Sequence, residues 1–277
     1  MALALEYSLR KLNSMDVKNE RVEEIEKKYG AFKKVNTSRF SRIPLFMCAP
    51  FALIKLFLGW SFFSLGGVCL FILFYSQKEK YPTNKAQTDS VNKIFFYVGR
   101  SILFASGGGR ESRSRPKVDY KEYLGADWEA SYENYGSTIS NHTSWYDTVS
   151  QMVMQAPTNI AKKAVLKMPI VGPMAQMIGC IFIDREDKTS SKKDLMDTIA
   201  QRQQEAMDGK LNPLVIYPEG GTTNGSHLIK FKKGPFSALK SVKPVLIRYK
   251  SDYVLIESGC MPIIPHMILI ACCPSFQ

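Results

Sequence analysis

Only three histidines serve this chain of 277 residues, and no Gly-x-Ser-x-Gly elbow occurs anywhere in it. Without that elbow there is no exposed serine nucleophile of the hydrolase type. No lysine and hydroxyl pair follows the glycines at 107–109, so Ser106 to Gly109 reads as a linker and not as a phosphate loop. The six cysteines, Cys48, Cys69, Cys180, Cys260, Cys272 and Cys273, show neither disulfide nor metal-ligand spacing. They read as buried or membrane-embedded thiols of a reducing compartment, and no metal is implied. No signal peptide is expected, because the first long apolar run starts near Ile43 with no small-residue cleavage pattern behind it. Acidic residues are scarce, 25 against 37 Lys and Arg, for a net charge of +12. That balance suits an anionic membrane face or a polyphosphate substrate. Nucleic acid is set aside, since no recognition helix, zinc array or aromatic RNA-binding signature accompanies the charge.

What is present is an ordered composition, 45% hydrophobic and 22% charged, with one long apolar segment. From Ile43 to Tyr75 the only charge is Lys55, and Leu56 to Tyr75 alone supplies about 30 Å of uncharged helix, one bilayer thickness. The whole run is too long for one upright span, and the part before Lys55 is too short for a second. Pro44, Pro50, Gly66 and Gly67 offer places to bend, so a tilted span and a re-entrant hairpin both fit. Basic flanks on both sides (Lys33, Lys34, Arg39 and Arg42; Lys78, Lys80 and Lys85) favour a hairpin returning to the cytosolic side.

Four regions follow. Residues 1–42 form a charged, solvated arm with a helix over Glu20 to Tyr29; residues 43–78 are the membrane span or hairpin. Residues 79–119 hold an interfacial or core helix over Val91 to Ala105 and a Gly/Arg-rich linker. Residues 120–277 form the folded domain. There, short apolar strands (Thr138-Ile139, Ile181 to Ile183, Leu214 to Tyr217, Val245 to Ile247) alternate with helices around Ser144 to Met154 and Lys192 to Met207. The expected fold is α/β, a mixed, partly parallel sheet flanked by helices, behind an N-terminal helical membrane segment. Sequons occur at Asn36, Asn141 and Asn224; two fall inside the motifs below, so all three read as chance matches on a cytosol-facing chain.

Two segments carry the chemistry. In Asn141 to Asp147, a histidine precedes an aspartate by five positions, which on a regular helix is about 140 degrees around the axis. His142 and Asp147 meet only if His142 sits in the turn after a strand and Asp147 lies in the first turn of the next helix. Ser144 to Asp147 also reads as a capping box, in which the acid merely closes the helix start. In Tyr217 to Gly225, Glu219, Gly220, Gly221, Thr222 and Thr223 follow a strand, where glycines let backbone N–H groups converge on an anion and threonines add donors. A plain tight turn fits the same residues. Gly179 to Arg185 ends a strand with a cation suited to phosphate, or to a surface pair with Asp184; Pro244 to Tyr249 reads mainly as a core strand.

In order and type, these four elements resemble the glycerolipid acyltransferases, the 1-acylglycerol-3-phosphate and lysophospholipid acyltransferases. His142 with Asp147 matches the first motif, Gly179 to Arg185 the second, Pro218-Glu219-Gly220 the third and Pro244-Val245 the fourth. The Thr-Thr-Asn-Gly continuation, Pro244 to Tyr249, Met261-Pro262 and Cys273 to Phe276 look most like the lysophosphatidylcholine acyltransferase branch. The resemblance implies that His142 takes the proton from a lysophospholipid hydroxyl while Asp147 holds the imidazole, and that the hydroxyl oxygen attacks an acyl-CoA thioester. Arg185 and the turn from Glu219 to Thr223 would then bind a phosphate, with Glu219 orienting a donor or a hydroxyl. It further implies no cofactor beyond acyl-CoA as co-substrate, a bilayer as partner, and the endoplasmic reticulum membrane with a cytosolic active site. Two departures stand out. Gly221 replaces the family's usual threonine, and the chain stops at Gln277, about where the family continues with another strand, so a truncated domain is expected. Two other readings remain open at this point: a CoA-independent transacylase or phospholipase, and an inactive membrane protein that keeps the scaffold for lipid binding.

Overall fold

The computed structural model describes residues 1–14, 23–24, 27–33, 41–79, 81–108, 112–115, 117–129, 133–183, 192–257 and 262–275. Among them are eight α-helices: α1 (Ala2–Ser14), α2 (Ile43–Phe74), α3 (Lys85–Ser106), α4 (Lys121–Leu124), α5 (Asp147–Met152), α6 (Val171–Met177), α7 (Lys192–Met207) and α8 (Ile263–Cys272). Five strands accompany them: β1 (Ser137–Ser140), β2 (Ile160–Lys162), β3 (Ile181–Ile183), β4 (Leu214–Ile216) and β5 (Val242–Val245).

Every strand pairing among the described residues is parallel. β1 lies between β4 and β5, with Ser137 opposite both Leu214 and Val242, while β2 pairs with β3. An Asn159–Val215 bridge joins the second ribbon to β4. All four residues of β1 are buried, as expected of a central parallel strand covered on both faces. The fourth strand expected from the sequence is displaced, since pairing covers Val242–Val245 and stops before Leu246 and Ile247. β2 and the short helices α6 and α8 carry too little periodicity to be read from sequence.

The apolar run forms one unbroken helix, α2, of 32 residues, so no hairpin turn falls within Ile43–Phe74. Pro44 sits in the first turn, where its missing N–H costs nothing, and Pro50 is carried inside the helix. Lys55 stays tolerable because its ammonium donates to the Cys273 carbonyl at 2.8 Å. α2 is long and apolar enough to cross a membrane, and only 11% of its most apolar window is buried in the protein. The reversal comes after it. α3 begins with Asn84 Oδ1 accepting the Gln87 N–H while Gln87 Oε1 accepts the N–H of Thr83, and it ends at Gly107, whose φ of +91° suits glycine.

α3 packs against α2 as a core helix. Leu70 and Phe74 meet Val91, Phe95 and Val98 in a cluster completed by Met152, Met174 and Ile178. Each fully buried Leu or Phe contributes about 1.5–3 kcal/mol, so this cluster fastens the apolar helices to the sheet domain. Gly66 permits the close crossing, for a side chain there would overlap Val98.

The solvated-arm expectation for the first residues needs correction. Leu5 and Leu9, one helical turn apart on α1, are buried in a cluster with Leu269, Ile270 and Ala271 of α8. The helix expected over Glu20 to Tyr29 lies largely outside the described residues.

Candidate active site

The site is built at the carboxyl ends of β1 and β4, the edge where parallel α/β sheets present their reactive groups. The segment from Asn141 to Tyr146 leaves β1 as a tight loop and delivers Asp147 as the first residue of α5. His142 Nδ1 lies 2.8 Å from Asp147 Oδ2. Asp147 is wholly buried and also accepts the backbone N–H groups of Thr143 (2.8 Å) and Ser144 (3.0 Å) on that same oxygen. The capping reading and the dyad reading therefore hold together: one carboxylate closes the helix start and holds the imidazole. Ser144 Oγ accepts from Tyr146 N–H at 3.2 Å, completing the local turn.

The other carboxylate oxygen of Asp147 accepts the hydroxyl of Tyr249 at 2.8 Å. Burial, reinforced by the Asp147 charge, pushes the Tyr249 phenol well above its ordinary range, which keeps it a donor. Tyr217 stacks on the His142 ring, centroids 4.2 Å apart and planes 20° from parallel. Its phenol too is raised, first by burial and then by Asp147. The imidazole is thus held at Nδ1 and across one face.

The glycine turn clamps the backbone of His142 from both sides. Glu219 Oε1 accepts the His142 N–H at 2.9 Å, and Thr223 N–H donates to the His142 carbonyl at 2.8 Å. Glu219 is 4% exposed, and its other oxygen accepts Ile229 N–H at 3.4 Å. Its carboxylate is consumed in joining three loops. Gly220 has φ +73°, and a side chain there would overlap the stem of Lys232, which crosses the turn. Gly221 faces open space and needs no left-handed backbone, while Thr222 is half-buried and Thr223 buried. Arg185 and Asp184 lie outside the described residues.

Asn141 ties the fourth motif to the first. Its amide donates to the Ile247 carbonyl (2.9 Å) and accepts the Ile247 N–H (2.8 Å), which brings Tyr249 to Asp147. Asn224 spends its amide on the carbonyls of Gly30 (2.8 Å) and Lys33 (2.7 Å), docking the 3₁₀ turn Gly30–Phe32 beside the site. Both side chains are engaged where a glycan would have to attach, which gives a structural reason to read these two sequons as chance. Sequence reasoning quoted Tyr217 and Tyr249 only as strand residues; the signal for them, an aromatic after each strand, is too common to select.

An apolar cavity of about 640 Å³ lies beneath this loop, between α2 and the sheet domain. Trp60, Phe95, Met174 and Cys180 line it, together with Lys55 and with Thr148, the residue that follows Asp147. The volume falls within the range of about 300–1,000 Å³ usual for ligand cavities.

A buried carboxylate thus stands behind an imidazole, with an apolar cavity alongside. The chain belongs to the acyltransferase family, whose family model matches residues 130–268. It is 33% identical over 141 residues to lysophospholipid acyltransferase LPEAT1 of Arabidopsis thaliana, covering 50% of this chain and 35% of that protein. Against lysophosphatidylcholine acyltransferase 2 of Rattus norvegicus the identity is 26% over 195 residues, 70% of this chain and 32% of the relative. Against lysophosphatidylcholine acyltransferase 1 of Homo sapiens it is 34% over 112 residues, 40% and 20% of the two chains. The chain thus spans about a third or less of the length of these relatives. No solved structure matches it significantly.

Proposed function

We propose that this chain transfers a fatty acyl group from acyl-CoA to the free hydroxyl of a lysophospholipid at the surface of a membrane. The observation that carries the proposal is the His142–Asp147 pair, 2.8 Å apart, beside an apolar cavity large enough for a fatty chain. Nε2 of His142 takes the proton of the acceptor hydroxyl, and the freed oxygen attacks the thioester carbonyl. The carbon–sulfur bond then breaks, and the CoA thiolate recovers the proton from the imidazolium. Asp147, fixed by the amides of Thr143 and Ser144, holds the ring in the tautomer that leaves Nε2 free to accept. Catalysis needs no protein nucleophile, because the substrate oxygen attacks.

The acyl chain occupies the cavity under Thr148. The phosphate of the acceptor or of CoA lies against the amides and hydroxyls of Gly220, Gly221, Thr222 and Thr223, with Arg185 as a further cation. Glu219 acts by holding the turn against His142. α2 sits in the bilayer of the endoplasmic reticulum, and the site faces the cytosol, where acyl-CoA and the basic surface meet. The names of the relatives, lysophospholipid and lysophosphatidylcholine acyltransferases, support the acceptor class.

The test is transfer from labelled acyl-CoA to a panel of lysophospholipids in membranes carrying the wild type or His142→Ala. A loss of about 10²–10⁴-fold is expected on removing the base. Equal product from both proteins would refute the reading. Product formed without added acyl-CoA would replace the thioester by a phospholipid donor.

A further inference from the structure

We propose that Tyr249 is a positioning residue of the site, the third member of a His142–Asp147–Tyr249 relay, rather than a core residue of the fourth motif. The proposal rests on the acyl-transfer reading and names a new part of its machinery. Tyr249 lies 102 residues after Asp147, yet its hydroxyl sits 2.8 Å from Asp147 Oδ1. The two carboxylate oxygens are served differently. Oδ2 receives His142 and two backbone amides, whereas Oδ1 has Tyr249 and, at 3.5 Å, the hydroxyl of Thr143. Among the described residues, Tyr249 therefore supplies the short hydrogen bond to Oδ1.

The bond is built rather than incidental. Asn141, next to His142 in the chain, grips both backbone groups of Ile247 and so fixes the segment carrying Tyr249. Ser150 Oγ, one helical turn beyond Tyr146 on α5, meets the same phenol at 3.1 Å. The Tyr249 ring packs edge-on against Tyr146, whose ring is buried. A hydroxyl gripped at its oxygen and along its ring holds Asp147 in one rotamer, and Asp147 in turn holds His142.

Two consequences follow from elementary electrostatics. A donor on Oδ1 spreads the carboxylate charge away from Oδ2, so its removal concentrates charge beside the imidazole and favours the protonated ring. A carboxylate free to rotate also loses the alignment of the His142 tautomer. The titratable groups facing Asp147 among the described residues are His142, Tyr217 and Tyr249. Of these, only Tyr249 is changed in the test.

The experiment compares the wild type, Tyr249→Phe and, as a control in the same segment, Tyr253→Phe. Phenylalanine keeps the ring packing and removes only the hydroxyl. For Tyr249→Phe, kcat is expected to fall about tenfold or more, the usual worth of a hydrogen bond to a charged group, with KM for acyl-CoA and for the lysophospholipid unchanged. The acidic limb of its pH–rate profile moves to higher pH. A second readout needs no turnover: the pH dependence of diethylpyrocarbonate labelling at His142, followed by mass spectrometry, shifts in the same direction for Tyr249→Phe and not for Tyr253→Phe. Unchanged kcat and pH profile in an active protein would overturn the role of Tyr249 while leaving acyl transfer standing. If no variant transfers acyl groups, the labelling profile decides alone, and identical profiles for wild type and Tyr249→Phe refute the relay.

Discussion

His266 offers a stability test whose size can be worked out from its surroundings. It is wholly buried on α8, accepts the indole N–H of Trp145 on Nδ1 at 2.9 Å and gives Nε2–H to the Leu255 carbonyl at 2.9 Å. Both ring nitrogens are satisfied only in the neutral form. Protonation would set two donors face to face at Trp145 and put a charge among Leu269, Ile270 and their neighbours. Burial accordingly holds the pKa at about 4, below the ordinary 6.5. The unfolded chain therefore binds a proton that the folded chain refuses, and stability falls as pH drops from about 6.5, the loss being complete below about 4. The difference of about 2.5 units corresponds to about 3 kcal/mol, or roughly 6–12 °C in Tm for a domain of this size. Thermal unfolding in detergent between pH 7.5 and 4, compared for wild type and His266→Asn, isolates the contribution from other titrating groups. His266→Asn is less stable at neutral pH because one of the two bonds is lost, but its further decline with acid should be shallower by about 3 kcal/mol. Parallel pH profiles for the two proteins would refute the buried neutral histidine. Because Trp145 lies between His142 and Asp147 in the chain, the acid transition should also loosen the active-site loop.

Other expectations are more direct. Asp147→Asn keeps the shape of the carboxylate but removes its charge and frees the His142 tautomer, so kcat should fall on the order of 10³-fold while circular dichroism and Tm stay near wild type; activity within threefold of wild type would contradict the dyad. Gly99→Ala places a methyl 2.6 Å from Met152 Cβ, where α3 and α5 are pressed together. The clash should outweigh the gain in helix propensity and cost about 1–2 kcal/mol, seen as a lower Tm. Gly221→Thr enters open space with no left-handed backbone to lose, so it should stabilise by about 0.5–1 kcal/mol, seen as a higher Tm. A tenfold loss of activity there would show that the open space belongs to the substrate. Asn224→Ala should release the segment Gly30–Lys33, visible as faster hydrogen exchange at those amides with little change in the core.

Much of the fold was legible because it depends on local rules. The 16 residues of α7 match the helix expected from Lys192 to Met207, and α3 lies over the expected Val91 to Ala105 with its caps in place. The strand-to-helix placement of His142 and Asp147 followed from helical geometry alone, since no regular helix brings positions five apart to one face. The misses share a cause. α2 was open to a bend at its prolines and glycines, yet Gly66 is where Val98 of α3 approaches, a reason that no reading of one helix in isolation supplies. α1 was taken for solvated charge because its apolar stripe is short, and it is α8, more than 250 residues away, together with Leu45, Ala49 and Ala52 of α2 that makes that stripe a buried face.

The same division runs through the site. The sequence by itself determined which residue types stand at the strand ends, the capping geometry that returns Asp147 to the amides of Thr143 and Ser144, and an apolar helix of membrane-spanning length. Those depend on contacts within a few positions, where backbone geometry leaves few choices. Only the tertiary structure decided that Glu219 spends its carboxylate on the His142 backbone, that Tyr217 covers the imidazole, that Tyr249 completes the shell of Asp147, and that a cavity opens beneath Thr148. The three contacts join residues 75 to 102 positions apart. Their distances are set by the register of β1 between β4 and β5, and that register is a property of the whole sheet.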